Sequence, residues 1–72
     1  MLLSEVKIGE EYTVERVGLC GEIKMRAEEL GIVKGEKITL KRKYLTGGGI
    51  FVVGDTVVGL GKTAITAIEV KK

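Results

Sequence analysis

Few residues of this chain could take part in catalysis. The 72-residue sequence contains no histidine and a single cysteine, Cys20. Histidine is the commonest general base and metal ligand, and one thiol cannot form an internal disulfide. Because Cys20 has no histidine and no second thiol to work with, we interpret it as a small, partly buried residue before the helix rather than a nucleophile or zinc ligand. A single reduced cysteine is typical of the cytoplasm.

The carboxylates and glycines add little chemistry. Glu28 and Glu29 are adjacent, so on a helix their side chains point about 100° apart and hold one hard cation poorly. Residues 59–63 resemble the end of a Walker phosphate loop, but the first glycine of that motif would fall at Thr56. We therefore predict no enzyme activity, no small-molecule substrate and no cofactor. Weak transition-metal binding by surface carboxylates stays open.

Charge is unevenly distributed along the chain, although the net charge is only +2. Residues 1–33 carry four basic and seven acidic side chains, and residues 34–72 carry eight basic and three acidic ones. Lys41, Arg42, Lys43 and Tyr44 could contact phosphates and stack on one base. Strand alternation, however, places Arg42 on the face opposite to the two lysines. Nucleic-acid binding is therefore the minor interpretation, beside partner docking and a merely solubilising strand surface.

One helix is predicted, from Gly21 to Leu30. Ile23, Ala27 and Leu30 lie at i, i+4 and i+7 and so share one face. Glycine adopts a positive φ readily, so Gly31 ends the helix and lets the next residue pack back on Ala27.

Alternating apolar residues predict five short strands around this helix, at residues 12–17, 37–44, 50–53, 56–60 and 66–71. Gly54 and Asp55 separate two apolar runs and predict a type II′ hairpin turn. Gly59 predicts a bulge inside the fourth strand. The predicted core consists of Ile23, Leu30, Ile38, Leu40, Val52, Val57, Ile68 and Val70.

These elements predict one mainly β domain over residues 1–72, a small barrel of about five strands with one short inserted α-helix. The strand pattern alone fits an OB-like barrel as well as an SH3-like one. No segment approaches the roughly 20 apolar residues of a membrane span, so we expect no direct membrane insertion.

Residues 30–40, Leu-Gly-Ile-Val-Lys-Gly-Glu-Lys-Ile-Thr-Leu, resemble the core motif of the FeoA family. That motif consists of a helix ending in Leu-Gly, an aliphatic residue, a turn and an alternating strand. The resemblance begins at residues 3–10, continues through 57–60 and closes at 67–70. Lys34 stands where the family often has proline, and Ala27 where a larger aliphatic residue is common. The resemblance implies the SH3-like form of the barrel.

FeoA proteins are small cytoplasmic accessory proteins of bacterial ferrous iron transport. The resemblance therefore implies a non-enzymatic regulatory module that docks on the cytosolic GTPase region of the membrane ferrous-iron transporter. One alternative is a nucleic-acid-binding small barrel. Another is an SH3-like regulatory module related to the C-terminal domains of iron-dependent repressors such as the diphtheria toxin repressor, although this chain shows no winged-helix domain.

We expect the partner to contact the end of the second strand and the loop after it. Tyr44 and Leu45 are large apolar groups next to a glycine run that we expect to let the loop change shape. Arginine and tyrosine are enriched among interface hot spots, and Met25 is an adaptable apolar residue on the outer side of the helix. The predicted partner-binding residues are Met25, Arg42, Tyr44, Leu45, Gly47, Gly48 and Gly49.

Overall fold

The computed structural model describes residues 1–72, which form one five-stranded antiparallel sheet and a nine-residue helix. The strands are β1 (Glu11–Val17), β2 (Lys37–Lys43), β3 (Gly49–Val53), β4 (Thr56–Leu60) and β5 (Ile68–Lys71). Helix α1 (Gly21–Glu29) joins β1 to β2, the one-turn α2 (Lys62–Ile65) joins β4 to β5, and a 3₁₀ turn (Leu3–Glu5) precedes β1. The predicted mainly β fold with one inserted helix is confirmed. Element boundaries differ from the prediction by one or two residues.

The strand order across the sheet is β4-β3-β2-β1-β5. The pairing slips by one residue between Val14 and Arg16 on β1, and between Leu40 and Arg42 on β2. Such bulges bend a strand and increase its twist, as a small curved sheet requires. The predicted bulge at Gly59 is wrong, because Gly59 pairs regularly with Ile50 of β3. The long strands β1 and β2 carry the bends instead.

A single cluster of 15 buried apolar residues forms the core. It draws alternate residues from every strand, as expected for a sheet with one buried face. Four predicted core residues are confirmed, namely Ile38, Leu40, Ile68 and Val70. Leu30 is partly buried and packs against the cluster.

Two other core assignments, both in the β3–β4 hairpin, are corrected by the structure. Val57 is 67% exposed, and Val52 lies opposite it in the sheet and is only half-buried. In β3, Phe51 and Val53 face the core instead. Every residue of β3 after its first glycine is apolar, so alternation cannot show which face is buried. Burying the large Phe51 side chain removes the most apolar surface from water.

Helix α1 is attached to the core differently from the prediction. Only Ala27 is buried on this helix, while Ile23 is 57% exposed. The side chain that anchors the segment is Ile32, which is fully buried two residues beyond the helix C-cap, Leu30. Ile23 is therefore wrongly assigned to the core, since the helix rests on its last turn rather than along a full stripe.

The end of α1 has the predicted glycine-dependent geometry. The amide of Gly31 donates to the Glu28 carbonyl at 3.0 Å, and the amide of Ile32 donates to the Ala27 carbonyl at 2.9 Å. With Gly31 at φ +91°, these two bonds make a Schellman ending, which delivers Ile32 directly into the core.

The next four residues form a type II turn. The amide of Glu36 donates to the Val33 carbonyl at 3.1 Å, and Gly35, the third residue of the turn, has φ +95°. Lys34 is the second residue, where proline is favoured, and its amide donates no hydrogen bond.

We therefore expect Gly31→Val and Lys34→Pro to change stability in opposite directions. A β-branched residue at positive φ should lower the free energy of unfolding by about 1–3 kcal/mol. Proline at a compatible position should raise it by about 0.4–1 kcal/mol, because the unfolded chain loses conformational freedom. Urea denaturation followed by circular dichroism measures both variants. A larger loss from Lys34→Pro than from Gly31→Val would contradict the turn assignment.

Candidate partner-binding site

The residues between β2 and β3 form a tight turn, which we call the hairpin tip (residues 44–48). The amide of Tyr44 donates to the Gly48 carbonyl at 3.1 Å, and the amide of Gly47 donates back to the Tyr44 carbonyl at 3.2 Å. Leu45, Thr46 and Gly47 thus make a three-residue loop, with Gly47 at φ +95°. Such loops keep the twist of the two strands that they join.

The glycines that follow are packed rather than flexible. A Cβ atom on Gly48 would lie 2.4 Å from the Leu60 carbonyl oxygen, and one on Gly49 would lie 2.5 Å from the Arg42 carbonyl oxygen. Both glycines are buried. The expectation that the glycine run allows the loop to change shape is therefore wrong, because close backbone contacts with β2 and β4 hold it. Gly48 and Gly49 position the tip and offer no surface of their own.

The tip presents one fully exposed apolar side chain. Leu45 has a relative exposure of 107%, and Tyr44 beside it is 42% exposed. Exposed leucines are common on protein surfaces, but this one stands at the end of a hairpin whose base is fixed by backbone contacts. It is therefore presented in a defined position.

Three basic residues precede this leucine at the end of β2. Lys41, Arg42 and Lys43 are consecutive and all exposed, because the pairing of β2 with β3 slips between Leu40 and Arg42. None of the three forms a salt bridge. The hairpin therefore has an apolar tip, and the end of β2 next to it carries three cations without a salt-bridge partner.

Met25 belongs to a different part of the surface. It lies on α1 and is 61% exposed. The shallow depression next to it is lined by Glu22, Arg26 and Glu29, all from the same helix. The structure thus brings Arg42, Tyr44, Leu45 and the glycines together, but it places no residue of the tip in the depression beside Met25.

The FeoA domain model matches this chain over residues 1–72. The chain belongs to the FeoA family. The SH3-like barrel implied by the FeoA resemblance is confirmed over the OB-like alternative, since a similar FeoA structure is described as a prokaryotic SH3 domain protein.

Solved FeoA structures superpose closely on this FeoA domain. Iron(II) transport protein A from Clostridium thermocellum has a TM-score of 0.91 at 26% identity, over 99% of this chain and 44% of that one. FeoA from Chlorobium tepidum has a TM-score of 0.90 at 25% identity, covering 99% and 69% of the two chains. The zinc complex of Stenotrophomonas maltophilia FeoA has a TM-score of 0.84 at 29% identity, covering 99% and 89%. The domain thus spans less than half of the Clostridium thermocellum chain. No curated protein matches the sequence.

A groove between β1 and α1 is the main concave feature of the FeoA domain, and sequence reasoning did not find it. Its charged lining residues are Glu15, Arg16, Lys24, Glu28 and Lys34. Two carboxylates and three cations share this groove, so it does not select strongly for either sign of charge. Arg16 is also paired with Glu69, at 3.3 Å between Nη1 and Oε2.

An ion pair ties the end of the FeoA domain to the start of β1. Lys72 Nζ lies 2.8 Å from Glu10 Oε1, and the Tyr12 hydroxyl donates to the same oxygen at 3.0 Å. Hydrogen bonding to Lys72, and then to Tyr12, lowers the pKa of Glu10, while the bond to Glu10 raises the pKa of Lys72. Lys72 Nζ also stands 5.5 Å from the centre of the Tyr12 ring. These contacts fasten the chain and involve no reactive group.

The FeoA domain has few side chains that could bind a metal ion, since it contains no histidine and one cysteine. No three side chains among its cysteine, aspartate and glutamate residues lie close enough together to hold a metal ion. Cys20, expected to be partly buried, is instead exposed, because it is the N-cap residue of α1 and packs against no other element. None of the helices is long and apolar enough to cross a membrane.

Proposed function

We propose that this FeoA domain is a non-enzymatic accessory module of ferrous iron transport, working in the bacterial cytoplasm. It docks on the cytosolic GTPase region of the membrane ferrous-iron transporter. Family membership supports the pathway. The Clostridium thermocellum neighbour is described as an iron(II) transport protein, and the Stenotrophomonas maltophilia neighbour as possibly a ferrous iron transport activating factor.

The main support for docking at the hairpin tip is the exposure of Leu45. This leucine is fully exposed, and packed glycines hold the hairpin on which it lies. Burying one leucine side chain in a pocket contributes about 1.5–3 kcal/mol. Because the base of the hairpin is already ordered, little conformational entropy is lost when it binds. Tyr44 adds a half-exposed ring with a hydroxyl at the side of the leucine.

The charge around the tip defines the expected partner surface. Lys41, Arg42 and Lys43 would face an acidic rim around the pocket that accepts Leu45. Complementary charge at a rim raises the association rate and orients the partners more than it raises affinity. We therefore expect binding to weaken moderately with salt, mostly through slower association.

A titration of the isotope-labelled domain with the transporter's cytosolic domain, followed by NMR, tests this proposal. Amide shifts should cluster at residues 42–49, and Leu45→Ser and Tyr44→Ala should each weaken binding by about tenfold or more. Ile23→Ser is the matched control, because it also removes an exposed aliphatic side chain but lies on α1. Met25→Ala shows whether the helix surface takes part in docking.

Shifts clustered away from the tip would contradict this placement. So would a folded Leu45→Ser variant that binds as tightly as the parent. The assignment to the transporter itself would be wrong if the cytosolic domain did not bind at all.

Nucleic-acid binding is the second candidate, because three consecutive basic residues are exposed beside Tyr44. Tyr12 and Phe51, the other two aromatic residues, are buried and cannot stack on a base. Nucleic-acid affinity should fall steeply as salt rises, with a log–log slope of about −0.9 for each phosphate contacted. A DNA or RNA titration at two salt concentrations separates the two functions. Binding by the parent that depends on Arg42 but not on Leu45 would favour nucleic acid.

We also propose that this domain has no tight site for ferrous iron or zinc. The same NMR experiment with ferrous iron alone, under anaerobic conditions, should show no saturable shifts below about millimolar iron, as for isolated surface carboxylates. A stoichiometric site of micromolar affinity would overturn this and would direct attention to Cys20 and a nearby carboxylate.

A further inference from the structure

The two edge strands of the sheet, β4 and β5, differ in whether their outer backbone groups are paired. At β5 the first residues of the chain cover the outer edge: the Met1 amino group donates to the Val70 carbonyl at 3.0 Å, and the Val70 amide donates to the Met1 carbonyl at 2.8 Å. Leu2 also pairs with Glu69. Strand β4, by contrast, pairs only with β3. The outer edge of β4 is open.

The hairpin register identifies the free groups on this open edge. Val53 and Thr56 flank the two-residue turn, so they form the first hydrogen-bonded pair of the ladder. Bonded and non-bonded pairs then alternate, so the backbone groups of Thr56, Val58 and Leu60 point toward β3. The amides and carbonyls of Val57 and Gly59 point outward. Neither residue forms a backbone hydrogen bond with a turn, loop or helix cap.

The open edge lacks the features that usually prevent strands from pairing between molecules. Residues 56–60 contain no charged residue and no proline, whereas β5 carries Glu69 and Lys71. Charges, prolines and bulges are the common means of protecting an edge. The β3–β4 pairing is regular over all five pairs, so no bulge twists this edge away. The apolar side chain of Val57 is exposed along it.

Gly59 is a further observation at the same place. Its φ lies outside the left-handed region, and a Cβ atom added there would meet nothing within 4 Å. Neither backbone conformation nor packing within the chain therefore requires glycine at this position. Glycine inside a strand often marks a place where another backbone approaches closely.

We propose that β4 pairs with β4 of a second copy of this chain, antiparallel and about a two-fold axis at Val58. This register sets Val57 of each copy opposite Gly59 of the other, so their outward amides and carbonyls form four hydrogen bonds. The exposed valine then lies against a residue without a side chain. Such a dimer does not depend on the proposed function, because it involves only copies of this chain.

Charge complementarity supports a second copy as the occupant of the edge. Asp55 immediately precedes β4 and Lys62 follows it by two residues. Antiparallel pairing about Val58 brings Asp55 of each copy beside the Gly61–Lys62 segment of the other, so the two ends of the contact each hold an opposite-charge pair. Neither residue has a salt-bridge partner within its own chain.

A concentration series of the isotope-labelled protein tests the proposal. The contact is smaller than a standard interface, so we expect self-association to appear at about 0.1–1 mM protein, with shifts centred on the Val57 and Gly59 amides. Val57→Lys should abolish these shifts by placing a charge on the edge. Ile8→Lys is the matched control, because Ile8 is exposed to a similar degree, 58% against 67%, and bridges to β2 instead.

The end charges give a second, independent readout. Asp55→Lys and Lys62→Glu should each weaken self-association by about tenfold, since each turns two attractive pairs into repulsive ones. The double variant should recover most of the loss, because it restores opposite charges in the reverse order. Recovery of this kind is not expected if the single variants merely disturb folding.

Several results would overturn the dimer. The protein could stay monomeric throughout the concentration series, the amide shifts could centre on another surface, or the Val57→Lys variant could still self-associate. Protection of the Val57 and Gly59 amides only after the transporter domain is added would show that a partner segment occupies the edge instead. Self-association that fails while the transporter domain still binds at the tip would leave the proposed function intact.

Discussion

Replacing Gly48 by alanine should cost about 3 kcal/mol or more of unfolding free energy, a large part of the stability of so small a domain. Gly48 has φ +85°, and a Cβ atom there would lie 2.4 Å from the Leu60 carbonyl oxygen and 3.0 Å from the Gly61 Cα. Both neighbours are backbone atoms, so no side chain can rotate away. The clash is relieved only by moving the hairpin tip off the end of β4.

The matched control for this experiment is Gly59→Ala. That glycine also lies in the β3–β4 region, but it has open space around its Cα and no positive φ. Alanine there should change the unfolding free energy by no more than about 0.5–1 kcal/mol. Urea denaturation followed by far-ultraviolet circular dichroism compares the two variants. Equal midpoints would mean that the tip is not packed against β4, and the docking proposal would lose its rigid platform.

Features set by neighbouring residues were predictable from the sequence. The Gly54-Asp55 pair forms the expected two-residue hairpin turn, with Gly54 at φ +60° and Val53 paired to Thr56. The Schellman ending at Gly31 is equally local. In both cases the backbone has an angle that residues other than glycine rarely adopt. The position of glycine in the sequence is therefore enough to predict the turn.

Features set by distant contacts were not predictable in the same way. Gly48 looked flexible in the sequence because glycine costs most entropy to order. In the folded protein its neighbours are Leu60 and Gly61, twelve or more residues later. The sequence therefore indicated that the loop was special, but it could not indicate whether the glycines allow movement or allow close packing.

The candidate binding site was predicted in a similar, partial way. A leucine between the end of a strand and a glycine run is a good candidate for exposure, and Leu45 is indeed fully exposed. Whether Met25 would adjoin it depended on where α1 lies against the sheet. Helical periodicity could not settle this, because α1 buries only Ala27 and is held by Ile32 beyond its end.

The same anchoring predicts that Ile32→Ala and Ile23→Ala differ sharply in stability. Ile32 is completely buried, so truncating it should cost about 2–5 kcal/mol through lost burial and the cavity left behind. Ile23, the first residue of the apparent helical stripe, is 57% exposed. Its truncation should cost no more than about 0.5 kcal/mol, since a mostly exposed side chain loses little burial and alanine favours helix.

Thermal and urea unfolding of these two variants would show what holds α1 to the sheet. The substitutions are chemically identical and lie nine positions apart, on either side of the helix end. A large loss from Ile23→Ala would mean that the helix packs along its full length, as the i, i+4, i+7 spacing suggests. A large loss from Ile32→Ala alone would mean that the helix is held at its C-terminal end, where Gly31 turns the chain and Ile32 enters the core.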